Sequence, residues 1–121
     1  MIEGILALTG QHFMTEYYET RDLLPGFVEG FGNISRDEHR HVAYGTWFLQ
    51  QKAKDPAHAQ RIQDKMMELM PVAAGVLVPP GYSLGDEYEF LGYTSQEQTE
   101  FAFNSLRRRL KVIGVGLPVA A

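Results

Sequence analysis

A chain of 121 residues with 45% hydrophobic and 21% charged side chains fits one ordinary globular domain. Its net charge of −4 gives no electrostatic reason to expect nucleic acid, and the absence of cysteine excludes disulfides, thiolate metal ligands and a cysteine nucleophile. No apolar run reaches about 18 residues, so no membrane span is expected, and no basic region with an apolar core marks a secretory signal, which leaves a cytoplasmic expectation.

A first helix is predicted over residues 2–20, with Ile5, Leu6, Leu8, Phe13 and Tyr17 supplying its apolar faces. Gly4, Ala7 and Gly10 form a strip of small residues on it that admits another helix, or a ligand, at close range. Leu24-Pro25-Gly26 is the predicted break, and Pro25 suits the first turn of a second helix over residues 25–54. Gly26, Gly30 and Gly32 weaken the start of that helix. Asp55-Pro56 reads as the cap and first position of a third helix reaching about residue 78, kinked at Pro71. Pro79-Pro80-Gly81 stops it, and an irregular stretch without strand-like alternation is expected through Tyr93. Thr94 or Ser95 then caps a last helix to about residue 113, Ser95-x-x-Gln98 fitting a capping box, and Gly114, Gly116 and Pro118 end it. Arg107-Arg108-Arg109 with Lys111, the basic cluster of the chain, lies late in this helix, where it complements the dipole. The expected fold is therefore all-α in one domain, residues 1–54 forming a helix pair and residues 55–121 the C-terminal helices.

Within the second helix, core-type residues recur at Phe27, Phe31, Ile34, Gly45 and Phe48, in alternating steps of four and three. The same seam passes through Glu38 and His41, a carboxylate and an imidazole at i and i+3 that are predicted to face the interior. A buried, unpaired carboxylate costs on the order of several kcal/mol, and a metal ion offsets that cost most directly. Glu-x-x-His on a helix puts two ligands about one turn apart, close enough to share one ion or flank two. In carboxylate-bridged di-metal bundles, two helices each add a lone Glu to two that carry Glu-x-x-His. Glu3, on the preceding helix, is the lone-Glu candidate. Measured from Pro25, the arms to Glu3 and Glu38 are unequal, roughly 33 and 20 Å at 1.5 Å per residue, so residues 21–26 must absorb the difference.

Each of these residues also has a plainer explanation. Ser35-x-x-Glu38 is itself a capping-box pattern, which makes Glu38 a helix start. An isolated His41 is ordinarily a core histidine with its hydrogen bonds met, and Glu3 in a first turn complements the dipole. In Asp55-x-x-His58 the aspartate is better explained as a cap, and His12 and His39 have no partner at ligand spacing. Asp37 and Arg40 fit a solvated pair, while Asp37 equally fits an acceptor that orients a metal-bound histidine. Tyr44 lies one turn beyond His41, near enough for redox chemistry, although the aromatic excess (Tyr17, Tyr18, Tyr44, Trp47, Phe48, Phe101, Phe103) reads first as packing.

The segments Ile2-Glu3-Gly4-Ile5-Leu6-Ala7-Leu8-Thr9-Gly10 and Arg36-Asp37-Glu38-His39-Arg40-His41-Val42-Ala43-Tyr44-Gly45-Thr46 resemble the second half of the ribonucleotide reductase small-subunit superfamily, most nearly its ligand-binding oxidase branch. The resemblance covers residues 2–50; the C-terminal half is compatible but carries no ligand motif. It implies about half of a ferritin-like bundle, with an iron or mixed manganese and iron di-metal centre that activates dioxygen. It further implies ligand roles for Glu3, Glu38 and His41, an orienting role for Asp37 toward a ligating histidine of the other half, and a pocket for a long-chain apolar ligand beside Gly4, Ala7 and Gly10.

The chain departs from that family in lacking the first half, with one Glu and one Glu-x-x-His. Two outcomes follow: a fragment that is inactive until its N-terminal half is supplied, which is the favoured expectation, or a homodimer in which two copies restore four carboxylates and two histidines. The rival readings are a reductase small subunit that passes a radical to a large subunit, a non-enzymatic helical interaction module, and an iron-storage ferroxidase. The tail Gly116-Leu117-Pro118-Val119-Ala120-Ala121 is short for a subunit-docking tail and argues mildly against the first of these.

Overall fold

The chain turns back on itself at residues 21–24, and the backbone there explains how its first two helices come to lie side by side. A computed structural model describes residues 2–116. A π-helical turn, Ile2–Ala7, runs directly into α1 (Leu8–Thr20). The buried Thr9 hydroxyl donates to the carbonyl of Ile5, a back-bond of the kind that loosens a helical ladder. At the other end of α1, the Leu23 N–H donates to the Tyr18 carbonyl (2.9 Å) and the Asp22 N–H to the Glu19 carbonyl (3.2 Å). That pair of bonds is a Schellman motif, with Asp22 at the left-handed position (φ 52°) where glycine is usual. Leu24 (φ 47°) then leads into α2 (Pro25–Lys52), with Pro25 in its first turn as expected.

The pivot thus lies ahead of Pro25, and this narrows the difference between the arms. Counted from the ends of the turn, Glu3 to Thr20 is about 25 Å, and Pro25 to Glu38 and to His41 about 20 and 24 Å, at the α-helical rise. The rings of Tyr18 and Phe27 meet at 5.1 Å near the turn, and a Cβ on Gly4 would lie 3.3 Å from Val42 at the far end. The hairpin is in register along its whole length.

Asp55 caps α3 (Pro56–Val76), its carboxylate accepting from the Ala57 N–H at 2.9 Å, and the helix continues through Pro71. The stretch expected to be irregular contains a small antiparallel ladder, β1 (Glu89–Phe90) with β2 (Tyr93–Thr94). Leu91 and Gly92 both have positive φ (54° and 80°), the requirement of a two-residue type I′ hairpin. A ladder this short shows no alternation to read. The last helix, α4 (Ser95–Ile113), opens with a capping box, but its members are Thr94 and Glu97 rather than Ser95 and Gln98. Gly114 ends it at φ 89°. Pro118 and the tail 117–121 lie outside the described residues.

The described residues form an all-α fold built round α4. Ala102, Leu106, Leu110 and Ile113 are buried on one face of that helix against Ile5 of the π turn and Val115, and Ile62, Met66 and Met70 of α3 close over them. Gln50 and Gln63 donate to the carbonyls of Val112 and Gly116 (2.9 and 3.0 Å), tying α2 and α3 to the end of α4. At the other end of α4, Phe101 packs with Phe13 and stacks on His12 at 4.2 Å.

The seam on α2 does not face this core. Among the described residues α2 buries none of its side chains, and Ile34 is 50% and Phe48 44% exposed. The periodicity correctly groups these residues on one face. That face is open because α4 and α3 saturate the core on the other side of the hairpin.

Candidate metal centre

Glu3 comes from the π-helical turn, and Glu38 and His41 from the middle of α2, across the in-register hairpin. His41 Nδ1 lies 3.8 Å from Glu38 Oε2 and 4.0 Å from Glu3 Oε1. One donor atom from each of the three side chains falls within 4.8 Å of the others. The ligand triad expected from the spacing is therefore assembled by two segments that are far apart in sequence.

The local fold disposes of two of the plainer explanations. α2 is continuous from Pro25 to Lys52, so Ser35 is mid-helix and Ser35-x-x-Glu38 caps nothing. The Ser35 carbonyl instead accepts from the His39 Nδ1–H at 2.6 Å. The His41 side chain is 62% exposed, so it is no buried core histidine. Glu3 stands in the first turn of its helical segment, where the dipole argument still applies beside the ligand one.

The donor chemistry suits a divalent cation. Two carboxylates and an imidazole are a set used by iron, manganese and zinc; with ligand bonds of about 2.1 Å, donors spread over 4.8 Å must draw closer to share one ion. Glu38 Oε2 is itself shielded from solvent and has no hydrogen-bond partner among the described residues, an orphan acceptor aimed at the cluster. Three donors leave an ion's remaining coordination positions open.

The neighbouring residues behave differently. Asp37 pairs with Arg40 at 2.8 Å in solvent, the arrangement of a surface ion pair, with no contact to the triad. Tyr44 is 66% exposed, and its ring lies against Trp47 at 5.9 Å rather than on His41. Gly4 does admit close approach, but what approaches is the chain itself: a Cβ there would meet Arg109 Nε and Val42 Cγ1, each at 3.3 Å. Nothing lies within 4 Å of a Cβ on Gly10. Neither of two cavities found among the described residues is lined by Gly4, Ala7 or Gly10, and of the two glycines it is Gly4 that a neighbouring helix approaches.

Those cavities were not anticipated. One, of about 450 Å³, lies between α3 and α4 among Met70, Ala73, Leu77, Ala102 and Leu106. The other, of about 440 Å³, lies between α2 and α4 beside Trp47, Arg108 and Arg109. His12 also has a partner that sequence spacing overlooked, Glu16 at 3.2 Å, four residues on. An i, i+4 scan for ion pairs finds that contact; no local pattern announces the cavities. No helix among the described residues is long and apolar enough to cross a membrane. No protein-family model matches this chain, nor does any solved structure.

Proposed function

We propose that this chain contributes half of a di-metal carboxylate centre in an oxidoreductase of the ferritin-like type, Glu3, Glu38 and His41 being its ligands. The observation that carries the reading is the convergence of those three donors across the hairpin, on the two segments whose sequences resemble the small-subunit superfamily. Iron, or manganese with iron, supplies dioxygen activation when bound at such a centre. The chain's own part is to hold two carboxylates and one imidazole at fixed spacing on paired helices, and to leave the rest of the coordination sphere open.

The complement is a lone Glu and a Glu-x-x-His from a second helix pair, supplied either by an N-terminal half or by a second copy of this chain. The open face of α2, with Ile34 and Phe48 exposed on the helix that carries the triad, supports a partner on that side. Alone, the chain is inactive. A reductase small subunit has the same centre and differs in passing its oxidising equivalent to another subunit. A second reading, a helical interaction module without metal chemistry, is favoured by the exposure of His41 and by that same open face.

Metal content, read beside mass in solution, separates these. About one iron or manganese per chain in a homodimer, or about two per chain in a complex completed by an N-terminal half, is expected, with loss of that metal on Glu38→Ala. A dimer or completed complex that stays metal-free under saturating ferrous iron and manganese, or metal that survives Glu38→Ala, overturns the di-metal reading and leaves the interaction module.

A further inference from the structure

The two arginines beside Trp47 are not explained by the metal centre or by the helix dipole. In the last turn of α4 the basic residue is Lys111, whereas Arg108 and Arg109 reach back toward Ser105. Arg109 Nη1 donates to the Ser105 carbonyl (2.9 Å) and Arg108 Nη2 to the Ser105 hydroxyl (3.2 Å). A guanidinium carries five N–H donors, so most of theirs have no acceptor. Among the described residues neither arginine pairs with a carboxylate, although other side chains form several such pairs. Burial first, and the adjacent Arg108 charge second, push the Arg109 guanidinium below its ordinary pKa. Two like charges, one of them half-buried, thus share a groove without a counter-ion, in a chain whose net charge is −4.

The groove has the form of a ligand site as well as the charge. Its volume, about 440 Å³, is in the range that holds small organic molecules. Trp47, Val42 and Ala43 of α2 give it an apolar wall, and Arg108 and Arg109 of α4 its cationic one. Val42 and Arg109 also meet over Gly4, which fixes the groove's inner end.

We infer that this groove binds an organic anion, its phosphate or carboxylate group held by Arg108 and Arg109 and its flat apolar body laid on Trp47. Guanidinium forks match such oxyanions bidentately, and an indole face takes the apolar part. The inference does not depend on the metal reading, because none of the three metal ligands lines the groove.

Trp47 is the sole tryptophan of the chain, so its fluorescence reports the groove directly. Full-length protein in chelator is titrated with phenyl phosphate, with phenol as the neutral control, and separately with phosphatidate or phosphatidylcholine vesicles. Saturable change with phenyl phosphate, weakened by about tenfold in Arg108→Gln and by rising salt, is the expected result for a soluble ligand. Response to phosphatidate vesicles alone, lost in Arg108→Gln and absent with phosphatidylcholine, supports the same site with a lipid headgroup as the source. Arg109→Gln serves as a second variant where circular dichroism shows the helices retained. The inference is overturned by no saturable response to either anion, by an equal response to phenol, or by binding undiminished in Arg108→Gln.

Discussion

Helices α4 and α2 are both long and amphipathic, yet α4 buries Ala102, Ser105, Leu106, Leu110 and Ile113 and α2 buries nothing. The difference is one of position. α4 sits between the π turn and α3, so its apolar face meets Ile5, Ile62 and Met66. α2 packs beside α1 and reaches α4 at one edge, leaving Ile34, Tyr44, Trp47 and Phe48 uncovered. Stability is concentrated on α4, and the residues proposed for chemistry stand on the helix that contributes least to the core.

The largest test of that contrast is Leu106→Ala. It empties a site that is 4% exposed, and a loss of about 2–5 kcal/mol is expected, read as a lower denaturant midpoint at unchanged slope. Thr94→Ala removes the hydroxyl that accepts the Glu97 N–H at 3.2 Å. It costs about 0.5–2 kcal/mol by the same measurement, being a cap on the stable helix. Asp22→Gly acts at the hairpin turn in the opposite direction: glycine removes the side-chain penalty at φ 52°, and stability rises by about 0.5–1 kcal/mol. Smallest of all is Ile34→Ser, which changes the unfolding of the monomer by about 0.5 kcal/mol or less because that side chain is half in solvent. A large loss from Ile34→Ser in a monomer breaks the comparison. A loss confined to the associated form sharpens it, by showing that the α2 face is covered by a partner.

The same contrast marks what was legible in the sequence. Helix existence was, because Asp55-Pro56, Pro25 and Gly114 are strong punctuation and the apolar spacing is helical throughout. That Glu3 would lie near Glu38 and His41 was read from the pattern of a lone Glu before a Glu-x-x-His, while the arm lengths argued against it; the three side chains do gather. Both edges of the turn were legible, Thr20 ending the first helix and Pro25 opening the second, but its geometry was not, because the left-handed residue is Asp22, which does not announce a Schellman turn as glycine does. Periodicity placed Glu38 and His41 on the seam with Ile34 and Phe48, but it carries no information on what covers that seam, so an open face was taken for an interior one. The groove beside Trp47 joins residues of α2 and α4 separated by most of the chain. Nothing local in Arg107-Arg108-Arg109 distinguishes a ligand-binding pair from a solvated one until Ser105 and Trp47 are seen beside it.

The central claim, that Glu3, Glu38 and His41 hold a metal ion together, is tested most directly by paramagnetic broadening in the ¹H–¹⁵N spectrum of the full chain titrated with Mn²⁺. Broadening is predicted to begin at the amides of Gly4, Glu38, His41 and Val42, to leave Asp55, His58 and Asp86 sharp, and to disappear in Glu38→Ala. Broadening that begins instead at the other acidic residues, or that is unchanged by Glu38→Ala, contradicts the account.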